Sequence, residues 1–373
     1  MTSSDLTLRI WDESEWLRSK DEYSSLLVRS PVDQLFHSWD WLTLWWKYFG
    51  RPAFGERLQI HAAYDDGALV GVLPVVVGQR AKRQFLRVEV AYVLGNCLRE
   101  MRGVPTEYAD VVCEPGRKAT VLRACLRSVL RTGSHHELSL GWSPAAREWQ
   151  AAFRADRLRA LRYLRVVDPR VAYQADLSAG FKIYADGLSG NARRSLMAAR
   201  RKLQVFGNVS VRPAEPARMP EVLARLNDLH SRRWQLHAFS GAVLAMHSEL
   251  ISSWASNGRI CLSELYVGDK VISVLYDIIV GDKQYNIQMG FDPEFAPKLA
   301  LGLVHLGYAM EAAAATGIRS YDFLAGEGQK TDYKARFSNR RIELRTMQYL
   351  RSPVLAAMYR AYDFAKGFRT QSE

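Results

Sequence analysis

Cysteine is scarce: Cys97, Cys113, Cys125 and Cys261 are four in 373 residues, too scattered for a disulfide framework. No two stand at a C-x-x-C spacing, so a cysteine zinc site is not expected, and neither is any other metal. Long apolar runs are missing too. Nothing approaches the ~18 residues of a membrane span, and the richest stretches, around 70–77 and 271–280, read as strands. The opening MTSSDLTLRIWDESEW carries acids where a secretory leader has a basic and then an apolar run. A soluble, reduced, cytoplasmic protein is the expectation. There is no basic tail, zinc-finger spacing, heptad-bearing basic region or RNP-like aromatic strand, which sets nucleic acid aside as a partner.

What the chain does have is apolar content of 48% with 24% charged residues, enough for a core and too ordered a composition for wholesale disorder. Its length allows two or three domains. Fifty-one Lys and Arg against 39 Asp and Glu give +12, which favours an anionic partner, whether nucleic acid, a membrane surface or a phosphorylated small molecule, without choosing among them.

Helical spacing of Trp41, Leu44, Trp45 and Tyr48, stopped by Gly50, marks a first helix. LQIHAAYDDGALVGVLPVVVG follows as a hairpin turning at Asp65-Asp66-Gly67. Helices are expected at 115–131 and 144–153, a short strand at 136–141, a very basic helix at 187–206 and another at 219–233. Three strands near 260–266, 271–280 and 284–289 are separated by Gly268-Asp269 and Gly281-Asp282 turns. A helix closed by Gly317, a strand SYDFLAG and an amphipathic helix at 353–368 complete the pattern.

The two hairpins repeat. Tyr64 is followed eight and nine residues later by Val72-Leu73, and Tyr266 by Val274-Leu275 at the same offsets, 202 residues on. That distance suits a duplicated domain, with the break near 166–171.

The second half reads β-β-β-α-β, followed by Gly326-x-Gly328 and then Lys330, Lys334 and Arg336. LHSRRW (229–234), QMGFDP (288–293), the next helix and YDFLAGEGQKTDYKARF (321–337) resemble the CelD-like acetyltransferase family of the GNAT superfamily, which is related to the Fem peptidyltransferases. The resemblance covers roughly 180–337. It implies an α/β (α+β) protein of two tandem GNAT-like domains, each a mixed, largely antiparallel sheet flanked by helices. The expected limits are 1–168 for a degenerate N-terminal copy and 169–373 for the acyltransferase copy with the terminal helix. The implied activity is transfer of an acyl group, acetyl above all, from acyl-CoA to an amine such as an amino sugar of a polysaccharide or envelope precursor.

In such a fold the strand at 284–289 splays from that at 320–324, and the following helix N-terminus, with unpaired N–H groups and a favourable dipole, binds pyrophosphate. Gln288, Met289, Lys298, Leu299, Ala300 and Gly302 are the candidate cofactor-binding residues, although only Gly302 remains of the superfamily's glycine-rich turn. Lys334 is the main catalytic candidate, to neutralise a phosphate or an oxyanion. Lys330 is expected to be a surface residue. Asp322 is a candidate proton acceptor or partner of Lys334. His230, Arg233 and Trp234 share a helix face, His230 as general base and the others as substrate contacts. Arg200 and Tyr333 are further substrate-binding candidates. For each, an ordinary core or surface role is the alternative. A Fem-like transfer from aminoacyl-tRNA and a non-catalytic binding module are the competing functions.

Overall fold

The computed structural model describes residues 6–50, 55–82, 86–95, 104–133, 135–155, 163–325, 332–365 and 367. The chain forms two compact units: Met1–Arg170 with Glu343–Glu373, here unit 1, and Val171–Ile342, here unit 2. Unit 1 begins with β1 (Thr7–Trp11), α1 (Glu13–Arg18), α2 (Lys20–Arg29), α3 (Trp39–Phe49) and β2 (Arg57–Asp65). It continues with β3 (Ala68–Lys82), β4 (Leu86–Val93), β5 (Val112–Cys113), α4 (Lys118–Thr132), β6 (Glu137–Ser143) and α5 (Ala146–Ala155). The long β7 (Tyr163–Asp176) then crosses the boundary into unit 2.

Unit 2 contains α6 (Phe181–Gly187), α7 (Gly190–Gln204), β8 (Val209–Pro213), α8 (Met219–Trp234) and α9 (Gly241–Trp254). Next come β9 (Ile260–Val267), β10 (Lys270–Val280), β11 (Lys283–Phe291), α10 (Leu301–Ala315), β12 (Ser320–Ala325) and α11 (Asp332–Arg336). Strand β13 (Arg340–Leu350) leads back to unit 1 and α12 (Pro353–Ala365).

Each unit is a mixed, largely antiparallel sheet flanked by helices. In unit 1, β1 to β4 pair antiparallel in chain order, β6 runs parallel to β4, and β13 is antiparallel to β6. In unit 2, β8 to β11 pair antiparallel, β12 runs parallel to β11, and β7 is antiparallel to β12. The duplication extends to register. Ala62 pairs with Val72, and Glu264 with Val274, 202 positions later. The same bulge recurs: Tyr64–Leu69 is followed by Ala63–Gly71, and Tyr266–Val271 by Leu265–Ser273, so that Val70 and Ile272 are the extra residues. Two unrelated hairpins share a turn, but not a bulge at a matching position.

Two expected boundaries are corrected. The segment 343–373 belongs to unit 1, not to the second domain: β13 pairs with β6, and Asp363 of α12 accepts from Arg165 (2.7 and 2.6 Å) and the Tyr163 hydroxyl (3.0 Å). Unit 1 is thus closed by β13, which follows α11 of unit 2, and unit 2 by β7, which follows α5 of unit 1. The expected break at 168/169 lies inside β7. Asp168 takes φ +53° within the strand, its carboxylate accepting from Trp142 Nε1 (2.9 Å) and Arg170 Nε (3.0 Å).

In unit 1, Val121, Leu122 and Leu126 of α4 join the core formed by Val75, Ala91 and Leu140. Gly71 is required there, since a Cβ would lie 2.1 Å from Val121 Cγ1. In unit 2, Leu306, Met310 and Ala313 of α10 pack with Leu275, Tyr321 and Phe323. Helix α8 approaches β11 so closely that a Cβ at Gly290 would stand 2.5 Å from the Leu226 carbonyl oxygen.

Candidate functional site

The parallel pairing of β11 with β12 covers Lys283–Ser320, Gln284–Tyr321 and Tyr285–Asp322, and β11 then runs on to Phe291 without that partner. A bulge bends it at this point: Asn286 pairs with Asp277 and Gln288 with Tyr276, leaving Ile287 over. Fully buried Asp277 fastens the three strands where they begin to part. Its carboxylate accepts from Gln284 Nε2 (2.6 Å), Asn286 Nδ2 (2.9 Å) and the Tyr321 hydroxyl (2.7 Å), while burial pushes its pKa up to about 6. Sequence reasoning missed Asp277. The available signal was an acid in the middle of an apolar strand, VLYDIIV.

A cavity of about 510 Å³ opens beside the free part of β11. Its wall is Gln288, Met289 and Phe291, parts of the loop from Asp292 to Ala300, and the first turns of α10; Arg233 and Trp234 close it from α8, and Tyr333, Arg336 and Phe337 from the α11 segment. Glycine is needed at the start of α10: a Cβ at Gly302 would come within 2.6 Å of Met289 Sδ. Helix α10 has neither a side-chain N-cap nor an acid in its first turn. The Leu303 and Val304 N–H groups reach the Ala300 carbonyl (2.9 and 3.1 Å), whereas those of Ala300 and Gly302 have no partner among the described residues. Such a helix end attracts anions. The Met289 N–H donates to Gln288 Oε1 (2.9 Å), a bond that a ligand carbonyl can replace. Burial pushes the Tyr333 phenol up to about 12, with Arg233 opposing the shift, so it is protonated at neutral pH.

Of the residues singled out in the sequence, the structure gathers Gln288, Met289, Leu299, Ala300, Gly302, Arg233, Trp234 and Tyr333 around this cavity. The other five lie outside its lining. Lys298 is exposed on the loop before α10. Asp322 is fully buried and committed: it accepts from Lys283 Nζ (2.7 Å), Gln174 Nε2 (2.9 Å) and the Leu324 N–H (2.8 Å), so it neither receives a substrate proton nor pairs with Lys334. Lys334 donates to the Leu324 and Ala325 carbonyls (3.3 Å each), holding the end of β12, where Leu324 has φ +61°. His230 Nδ1 bonds to the Leu236 carbonyl (2.7 Å); a carbonyl only accepts, so this nitrogen carries the proton and the ring fixes the turn after α8. Arg200 lies between α7 and α10, paired with Glu311 (2.7 Å) and stacked on Tyr308 (4.1 Å), rather than facing the cleft.

Gly326, Gly328, Lys330 and Cys97 fall outside the described residues. Cys261 is pushed up to about 12 by burial, in keeping with a thiol that serves as packing. Among the described residues no group of three or more His, Cys, Asp or Glu is placed to hold a metal, and no helix is long and apolar enough to cross a membrane.

A strand that leaves its parallel neighbour beside an open helix N-terminus defines the GNAT class of fold, and residues 190–335 match the family model of an acetyltransferase (GNAT) domain. Residues 190–335 of unit 2 are thus similar to an acetyltransferase (GNAT) domain. Several solved structures align with nearly the whole chain. FemX does so with a TM-score of 0.60 at 10% identity, over 91% of this chain and 98% of that one. The C-terminal domain of a putative lysylphosphatidylglycerol synthetase from Agrobacterium fabrum gives 0.53 at 10%, over 96% and 98%. A tandem GNAT protein from the clavulanic acid biosynthesis pathway gives 0.50 at 12%, over 93% and 99%. At such identities the likeness is one of fold, here a tandem GNAT-like fold. Comparison with curated proteins gives no match.

Proposed function

We propose that unit 2 transfers an acyl group, acetyl in the simplest case, from an acyl-CoA to an amine. The observation that supports this most is the divergence of β11 from β12 beside the open N-terminus of α10. The residues present fit the donor: Leu299, Ala300 and Gly302 offer a backbone cradle for its phosphates, and Gln288 and Met289 a strand edge for its extended arm. When bound, the thioester supplies an activated carbonyl.

The chain's own part is positioning and charge stabilisation. The Met289 N–H, released from Gln288 Oε1, stabilises the oxyanion that develops at the carbonyl. The Tyr333 hydroxyl gives a proton to the departing sulfur as the C–N bond forms and the C–S bond breaks, and the phenolate takes a proton back from solvent. The nitrogen attacks as the neutral amine and loses its extra proton to solvent. Lys334 acts through β12, as a positioning residue. Membership of the CelD-like family, a cytoplasmic location and an amino sugar of a polysaccharide or envelope precursor as acceptor are the finer parts of this reading. They come from the resemblance of QMGFDP and YDFLAGEGQKTDYKARF.

Thermal unfolding with CoA and acetyl-CoA tests the donor, because a ligand of the native state raises Tm by mass action. The expected result is a rise with either compound that is lost in Leu299→Glu, whose carboxylate opposes an anion at the helix end. No rise in the parent, or an equal one in the variant, overturns the reading.

A further inference from the structure

Positive charge in the unit 2 cavity is left unbalanced. Arg233 and Arg336 both line it, and among the described residues neither has an ion-pair or hydrogen-bond partner. Several other arginines of unit 2 are paired: Arg225 binds Glu221 and Glu264, Arg232 binds Asp228, and Arg200 binds Glu311. One carboxylate, Asp292, belongs to the described lining, and it is already engaged by Lys270 Nζ (2.9 Å) and the Glu294 N–H (3.0 Å).

Arg233 is also held in a particular way. Its guanidinium carbon lies 4.4 Å from the centre of the Phe291 ring and 4.8 Å from that of Trp234. Aromatic rings cover the faces of the cation and leave its N–H edges as donors. Partial burial lowers its pKa from the ordinary value, yet a guanidinium stays charged. A half-desolvated cation with unused donors is incomplete without an anion, and a fork of parallel N–H groups matches phosphate or carboxylate oxygens. The donor's phosphates have their own candidate cradle at the N–H groups of Ala300 and Gly302.

We propose that the acceptor is an anionic amine: besides its nucleophilic nitrogen it carries a phosphate or carboxylate group, which Arg233 and Arg336 bind in the unit 2 cavity. This rests on the acyl-transfer reading and narrows its substrate class. Trp234, exposed at the same rim, offers a flat apolar face to the rest of the acceptor, as a sugar ring would use.

The experiment measures binding to CoA-saturated protein by thermal shift, with two matched probe pairs. Glucosamine 6-phosphate is compared with glucosamine, and glycine with glycinamide. The expected result is tighter binding of the charged member of at least one pair. Its advantage should fall about tenfold or more in Arg233→Met, the scale of one lost charge-assisted contact, and less in Arg336→Met. CoA affinity should stay within about twofold in both variants, each first shown to melt like the parent. A response confined to the phosphate pair identifies phosphate, and one confined to the glycine pair identifies carboxylate. Equal binding of charged and neutral probes in both pairs overturns the proposal, as does a tenfold loss of CoA affinity in Arg233→Met, which would give that arginine to the donor. If the parent does not bind CoA, the acyl-donor reading fails instead, and the same pairs applied to the unliganded protein still read the anion preference.

Discussion

Unit 1 and unit 2 share a hairpin register and a bulge but treat the strand end differently. In unit 2 the loop from Asp292 to Ala300 leaves a cavity beside β11. In unit 1 the described part of the segment after β4, from residue 104 onwards, is pinned by aromatic side chains. Trp41 Nε1 donates to Thr106 Oγ1 (3.0 Å), Trp45 Nε1 to the Val104 carbonyl (2.9 Å), and His37 Nε2 accepts from the Asp110 N–H (3.1 Å). Phe36 packs against both Trp41 and Tyr108. Even helix α4, the counterpart of α10, begins beside an engaged lysine, Lys118, paired with Asp110 at 2.5 Å. One scaffold thus has two ends: indoles and an ion pair fasten one copy, while in the other two N–H groups at the start of α10 and two arginines have no hydrogen-bond or ion-pair partner among the described residues. Fold alone does not locate function; the side chains at the strand end do.

Breaking the fastened copy should give the largest effect. Trp41→Ala removes a fully buried indole and is expected to cost about 3–5 kcal/mol, with Tm lower by roughly 10 °C. CoA affinity of the folded protein, read by titration below the transition, should stay within about twofold of the parent. Nearly as costly is the ion pair that brings the C-terminal helix into unit 1. Asp363→Ala leaves Arg165 buried without its bidentate acceptor, for a loss of about 3 kcal/mol in chemical denaturation, again with donor binding preserved.

Acid, by contrast, should act on both units through their buried histidines. Burial lowers His61 and His135 of unit 1 and His247 of unit 2 to about 4, and His305 of unit 2 to about 3. Their folded pKa values lie below the unfolded value of 6.5, so between those limits the unfolded chain binds protons that the folded chain does not. Stability therefore falls as pH drops from about 6.5 towards 4. Asp277 works the other way: raised from 3.8 to about 6, its contribution is full below 3.8 and is lost as pH rises through 6. Asp277→Asn should make the acid loss steeper, which Tm measured from pH 7.5 to 4.5 will show.

The smallest effect is expected at Lys334. With its ammonium on two β12 carbonyls, Lys334→Ala should cost about 1 kcal/mol of stability and lower turnover only a few-fold, with little change in CoA affinity. A hundredfold loss of turnover without a change in Tm would place this lysine at the reacting atoms.

The legible features were local. Glycine-aspartate turns marked the meander, the Tyr-to-Val-Leu spacing revealed the duplication, and β11 with the start of α10 supplied most of the cavity wall. The misread features depend on partners far away in sequence. Asp322 looked like the acceptor of a substrate proton or the partner of Lys334 because Lys283, its actual partner, comes from the neighbouring parallel strand. Arg200 looked like a cleft residue because nothing in a basic helix announces Glu311 and Tyr308. The return of β13 to unit 1 was hidden for the same reason, since a strand's sequence does not name its neighbour.

The central claim is that the open strand end of unit 2 binds the acyl donor and its fastened counterpart in unit 1 does not. Isothermal titration of CoA into the parent and into Gly302→Val tests it directly, because a side chain there meets Met289 Sδ within 2.6 Å of its first carbon. One CoA per chain for the parent, and none for a variant that still folds, is the predicted result; two per chain, or undiminished binding by the variant, would contradict it.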